Sequence, residues 1–186
     1  MNDIPDDVLK KAAAGDMESF EAVYNILSGF VYNVALRVVN NRQDAEEVTQ
    51  EVFLTMSRKL KDFRFESSLK TWVYRITVNH ALNYGRKASR GNNRSLEYDD
   101  EIQAAMAPNA VEAKIEKEYN DTVIEKLLGA VSPEQRACVV LRSVEGLSYK
   151  QIADILKVNI NTVRTRLRRA REILFSFRKK VGYERV

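Results

Sequence analysis

The sequence predicts an all-α protein of two small helical domains joined by a flexible linker. Three observations lead there. Only 7 Gly and 3 Pro occur in 186 residues, too few for a many-turned β fold. Apolar residues recur at three- and four-residue spacing along most of the chain, the period of a helix with one buried face. One internal stretch, Ala88–Ala110, abandons that pattern for polar, acidic and turn-forming residues. The domains are accordingly placed at 1–90 and 111–186, with the linker at 91–110. Apolar residues make up 45% of the chain, enough for packed cores.

Taken in order, Asp6–Ala14 reads as a short helix stopped by Gly15. Asp16 caps a second helix that carries Phe20, Val23, Tyr24 and Leu27 and ends near Gly29. A third runs from Phe30 to about Val39 and stops at Asn40-Asn41. The fourth spans roughly Gln43–Lys61, with Ala45, Val48, Val52, Met56 and Leu60 as its apolar stripe. Glu47, Gln50, Glu51, Leu54 and Arg58 lie off that stripe. A Leu54 exposed beside acids offers a docking surface, although a lone surface Leu is also ordinary.

Asp62–Ser68, DFRFESS, is a connector holding two Phe. Ser67 or Ser68 caps a fifth helix from Leu69 to about Lys87. Trp72, Val73, Ile76 and Leu82 point to the core, and Lys70, Arg75, Asn79, Asn83 and Arg86 lie largely elsewhere. Cations and amides beside aromatic rings suit single-stranded nucleic acid. An ordinary core helix with a solvated outer face fits as well, and on the pattern alone that plainer reading has the edge. His80 has no partner for catalysis or metal binding in the pattern.

The stretch 88–110 holds SRGNNRS, EYDDE and MAPNA, and its acids Glu97, Asp99, Asp100 and Glu101 read as a solvated tether. Val111–Leu128 is again helical, stopped by Gly129. Ser132-Pro133-Glu134-Gln135 combines a cap, a first-turn Pro and a capping-box Gln, and Gly146 ends the helix it starts. Ser148–Leu174 then reads as two helices around a tight turn. Ser148 and Gln151 have capping-box spacing, Ile152, Ala153, Ile155 and Leu156 form a short apolar face, and Asn159 caps the second helix. In that helix Ile160, Val163, Leu167, Ala170 and Leu174 share one face. Asn161, Thr165, Arg168 and Glu172 occupy the other, flanked by Thr162, Arg164 and Arg169. Such a helix packs by its apolar side and offers Arg and Asn to a major groove. A merely solvated face would carry more matching carboxylates.

Composition narrows the function classes. The net charge is +4 and the pI about 9.1, so affinity for nucleic acid has to come from local clustering. One Cys and one His exclude a disulfide within the chain and a zinc site of the usual Cys/His kind. Cys138 sits among Ala137, Val139, Val140 and Leu141 and reads as a buried structural thiol. With no paired carboxylate motif there is little for acid–base or nucleophilic catalysis, so an enzyme is the poorest reading. The polar, acidic start lacks a secretory signal, and no apolar run approaches the ~20 residues of a membrane helix. A cytoplasmic protein without cofactor or metal is expected.

DAEEVTQEVF (Asp44–Phe53), SSLKTWVYRITVN (Ser67–Asn79), SPEQRACVVLRSVEGLSYKQIADIL and TVRTRLRRAR, in this order and spacing, strongly resemble the extracytoplasmic-function group of bacterial sigma factors. The resemblance covers the chain from Phe20 to about Leu174. It implies a sigma region 2-like domain, a linker and a region 4-like helix-turn-helix domain. Region 2 would dock on the β′ clamp helices of core RNA polymerase through Glu47, Gln50, Glu51, Phe53, Leu54 and Arg58. It would melt and read the promoter −10 element through Arg64, Phe65, Ser67, Lys70, Trp72, Arg75, Asn79, Asn83 and Arg86. Region 4 would read the −35 duplex through Tyr149, Lys150, Asn161, Thr162, Arg164, Thr165, Arg166, Arg168, Arg169 and Arg171. The implied partners are core polymerase (β′ clamp helices and β flap), promoter DNA and an anti-sigma factor. Phe65 departs from the family, standing where many relatives have a small residue. The rival is a stand-alone helix-turn-helix regulator, which would usually dimerise on a palindrome and has no need of the N-terminal half.

Overall fold

A computed structural model describes residues 4–63, 68–91 and 123–180. Everything regular in them is helical. Helix α1 (Asp6–Ala13) leads to α2 (Met17–Val39), whose first turn is capped by Asp16 accepting from the Ser19 amide at 2.9 Å. Hydrogen bonding to Ser19, from its side chain first and then its amide, holds the Asp16 carboxyl below its usual pKa. Here the sequence expectation of two helices meeting at Gly29 fails, because α2 is continuous. A mid-helix Gly costs about 1 kcal/mol relative to Ala. Val23, Leu27, Val31, Val34 and Val38 are all essentially fully buried along one stripe, and that burial outweighs the penalty. Asn40 ends the helix in the left-handed conformation (φ 60°). By length and composition α2 is also able to cross a membrane, contrary to the sequence expectation, but its apolar stripe forms the protein core.

Asn41 caps α3 (Arg42–Lys59), accepting from the Asp44 amide at 3.0 Å, and a single 3-10 turn (Leu60–Asp62) follows. Of the two candidate caps for α4 (Leu69–Gly91), Ser68 is seen to act, accepting from the Thr71 amide at 3.1 Å. Helix α4 runs past the expected stop near Lys87. Val73, Tyr74, Val78, Ala81 and Leu82 are its buried positions; Trp72 and Ile76, expected inside, are only half-buried. The loop residues Arg64, Phe65 and Ser67, the acids of the tether, and residues 111–122 of the expected linker-side helix lie outside the described residues.

Residues 123–129 are helical (α5). Ser132 and Gln135 form the expected capping box of α6 (Pro133–Val139), which widens into a π turn over Val140–Val144 before Gly146. Helix α7 (Tyr149–Leu156) opens on the second capping box, Ser148 with Gln151. Lys157 makes the left-handed turn (φ 52°), and Asn159 caps α8 (Ile160–Lys180) by accepting from the Asn161 amide at 2.8 Å.

Helices α1–α4 pack around one core and α5–α8 around another, and the two merge into a single cluster of buried side chains. At their junction Arg136 of α6 is 7% exposed. Its Nε donates to Leu128 O at 2.7 Å, Nη2 to Val131 O at 3.2 Å, and Nη1 to Val38 O at 3.0 Å. The last acceptor lies at the C-terminus of α2, where the helix dipole favours a cation. A guanidinium out of water is tolerable only when its N–H groups are satisfied in this way.

Candidate nucleic-acid interface

The α7–α8 hairpin is held from inside. Ile152, Ala153, Ile155 and Leu156 of α7 are buried against Val163, Leu167 and Ala170 of α8. With that face fixed, the helical period turns Asn161, Arg164, Thr165, Arg168 and Arg169 outward, and all five are exposed. The surface is partly ordered before any ligand arrives. Arg164 Nη1 donates to Asn161 Oδ1 at 2.9 Å and Thr165 Oγ1 donates to Asn161 O at 2.9 Å. Arg168 lies 3.6 Å from Glu172, an exposed pair that restrains it only weakly. Thr162 and Arg166 are half-buried. Burial pushes the Cys138 thiol up in pKa, and the neighbouring Arg166 guanidinium offsets part of the rise, which places Arg166 towards α6. Arg171 is exposed but lines an apolar groove with Ile124, Leu127, Val140, Leu174 and Phe175, so of the flanking arginines Arg169 stands nearer the outward face. On α7, Lys150 is exposed, and the half-buried Tyr149 ring has Arg142 over it at 5.3 Å.

A second surface lies on α4. Asn83 and Arg86 are exposed, while Trp72, Arg75 and Asn79 are half-buried in a row at helical spacing. Trp72 leans on Phe63 with ring centroids 5.3 Å apart. Arg75 Nε is buried without a hydrogen-bond partner. Lys70 sits apart from this row, 5.9 and 5.7 Å above the Phe30 and Tyr74 rings. Two of the cations reach the other half of the molecule: Lys70 Nζ is 3.9 Å from Glu145 and Arg86 Nε is 3.6 Å from Glu134.

The third surface is the outer face of α3. Gln50, Glu51 and Arg58 are exposed there, and Leu54 is 51% exposed. Two of the expected docking residues are otherwise engaged. Phe53 is buried, packed on Tyr24 with centroids 4.6 Å apart, so its side chain serves the core and not a partner. Glu47 Oε2 accepts from Tyr84 Oη at 2.8 Å, tying α3 to α4. Thr55 and His80 make a second such tie at 2.9 Å. Sequence reasoning missed Tyr84 and Arg136. For Arg136 a signal existed, a charge embedded between a capping box and an apolar run. Among the described residues no group of three His, Cys, Asp or Glu side chains is placed to hold a metal.

Comparison with known proteins gives consistent matches. Residues 23–91 match the family model Sigma-70 region 2 and residues 122–174 match Sigma-70, region 4. The chain is 33% identical over 179 residues to the ECF RNA polymerase sigma factor SigE of Mycolicibacterium smegmatis, covering 92% of this chain and 67% of that one. It is 31% identical over 174 residues to the ECF RNA polymerase sigma-E factor of Escherichia coli, covering 90% of each. Among solved structures, CnrH in complex with the cytosolic domain of CnrY superposes with a TM-score of 0.63 at 21% identity, over 96% of this chain and 99% of that one. The sigma factor RpoE in complex with the anti-sigma factor NepR, from Bartonella quintana, gives 0.64 at 21% identity, over 91% and 100%. These two likenesses concern the fold.

Proposed function

The chain belongs to the ECF RNA polymerase sigma factors, and from that premise we propose that it binds core polymerase and directs it to promoters by reading a −35 duplex with α8 and a melted −10 strand with α4. The observation that carries the reading is the outward row of α8, Asn161, Arg164, Thr165 and Arg168, on a helix whose opposite face is locked in the core. Arg pairs with guanine and Asn with adenine in the major groove, and a helix rigidly backed by α7 presents both in fixed register. On α4 the aromatic Trp72, the cations and the amides Asn79 and Asn83 supply what unpaired bases need. Extracting a base from the stack costs a few kcal/mol, which stacking and pocket contacts on the protein offset. The protein makes and breaks no bonds in this role.

Docking on the polymerase β′ clamp helices is assigned to Gln50, Glu51, Leu54 and Arg58, and the β flap to the apolar groove beside Phe175. An anti-sigma factor is the third partner, by analogy with the RpoE–NepR complex. Work with polymerase places the protein in the cytoplasm. The test is transcription in vitro with core polymerase over a promoter library. Wild-type chain should select promoters sharing −35 and −10 sequences. Leu54→Asp should lose core polymerase in a pull-down while keeping its −35 DNA binding. Full retention of polymerase by Leu54→Asp would remove α3 as the docking surface.

A further inference from the structure

We propose that the apolar groove between α5, the π turn and α8 is a binding site for a single-chain carboxylate, a straight hydrocarbon tail ending in an anion, which competes there with the polymerase β flap. The competition rests on the functional reading above; the site itself does not. The wall of the groove is apolar, built from Ile124 and Leu127 of α5, Val140 and Val144 of the π turn, and Leu174 and Phe175 of α8. Ile124, Val144 and Phe175 are 47%, 51% and 62% exposed. One exposed apolar side chain is ordinary, whereas three gathered on one concave surface mark a binding site. The π turn presents both Val140 and Val144 to the groove, and widened turns of this kind are frequent at functional sites. The groove encloses about 480 Å³, within the roughly 300–1,000 Å³ of small-molecule sites.

Charge decides the class of molecule. Arg37, in the last turn of α2, and Arg171 of α8 both line the groove, and among the described residues no Asp or Glu does. Arg86 and Arg168 face the acids Glu134 and Glu172, but neither Arg37 nor Arg171 is paired with a carboxylate among the described residues. A guanidinium takes a carboxylate through two parallel hydrogen bonds. Arg37 is half-buried beside hydrocarbon, where such bonds are stronger than in water. A tail without a charge leaves both cations unanswered, and a charge without a tail leaves the apolar wall in water. One molecule carrying both satisfies the two halves of the site. Seated on Leu174 and Phe175, it occupies the surface assigned to the β flap, so carboxylate and polymerase exclude each other there.

Equilibrium dialysis of the full chain against octanoate, decanoate and dodecanoate, each below its micelle concentration, tests the site. One molecule should bind per chain, and each added methylene should tighten binding about fourfold until the groove is full. Dodecanol should bind about tenfold or more weakly than dodecanoate, and Arg171→Gln should erase most of that difference by weakening dodecanoate. Val144→Asp, at an exposed position outside the core, should also weaken dodecanoate, with circular dichroism confirming the fold. With core polymerase, dodecanoate should suppress promoter-specific transcription severalfold for the wild-type chain and spare Arg171→Gln, each compared with its own rate without dodecanoate. Equal affinity for dodecanol and dodecanoate, uptake of many molecules per chain, or no saturable binding would overturn the site. Self-association of the chain that dodecanoate fails to disperse would assign the groove to a second copy and overturn it equally. Saturable binding with no effect on transcription would overturn the competition. The dialysis needs no polymerase, so a chain that binds dodecanoate yet directs transcription from no promoter would overturn the functional reading and leave the site standing.

Discussion

Arg168 stands at the middle of the outward face of α8, in an exposed pair with Glu172 at 3.6 Å. Such a pair gives way to a base edge at little cost. Arg168→Ala should weaken −35 binding by about 1–3 kcal/mol and relax preference at one position. Arg169 lies on the flank of that face, so Arg169→Ala should weaken all sequences alike and lower the salt slope by about one unit. Binding to a randomised −35 duplex at several salt concentrations checks both; a sequence preference that moves with Arg169 and not Arg168 would show the helix to be turned differently in the groove. Tyr84 makes a different kind of prediction. Its bond to Glu47, followed by burial and the nearby Asp44 and Glu47 charges, pushes its pKa up from 10.0 to about 12. A raised folded-state value means the bond stabilises the fold fully below pH 10 and is lost as pH climbs through about 12. The difference in melting temperature between wild type and Tyr84→Phe should therefore hold steady to pH 10 and shrink above it. A difference independent of pH would assign the effect of the hydroxyl to packing.

Among the helices, α2 is where sequence and structure part most visibly. Gly29 is exposed in mid-helix, and a β-carbon there would meet nothing within 4 Å. Gly29→Ala should stabilise the protein by about 0.5–1 kcal/mol, measured by chemical denaturation. No gain would mean that the glycine relieves some strain in the helix. The sequence pattern took Gly29 for a stop because a local propensity is visible in the sequence, whereas the burial of Val23, Leu27 and Val31 against other helices is not. The caps were legible for the opposite reason. Ser132 with Gln135, Ser148 with Gln151, and Asn159 act within three residues of themselves, so the chain carries their whole signal. The same division runs through the candidate site. The outward row of α8 follows from helical period alone. The inward turn of Phe53, the engagement of Glu47 by Tyr84 and the pairing of Lys70 and Arg86 depend on elements far along the chain, and no spacing rule reaches them.

For the molecule as a whole, Arg136 decides whether two halves behave as one. Its three donated bonds join α5 and the turn after it to the end of α2, and removing the guanidinium removes all three. Arg136→Met should cost about 3 kcal/mol. Wild type should melt in a single calorimetric transition, because the buried cluster is continuous across the seam. The variant should melt in two, the C-terminal half first. One transition in both proteins would show that the apolar part of the seam suffices to couple them.

Cys138, the chain's single sulfhydryl, lies fully enclosed beneath α8, with its ionisation suppressed by burial. A thiol reagent can reach it only during excursions that expose the interior. Its modification rate, divided by that of the unfolded chain, is then an equilibrium constant for those excursions. The protein thus carries a chemical stopwatch of its own, one that needs neither dye nor mutation and runs equally well on the free chain and on the chain bound to polymerase.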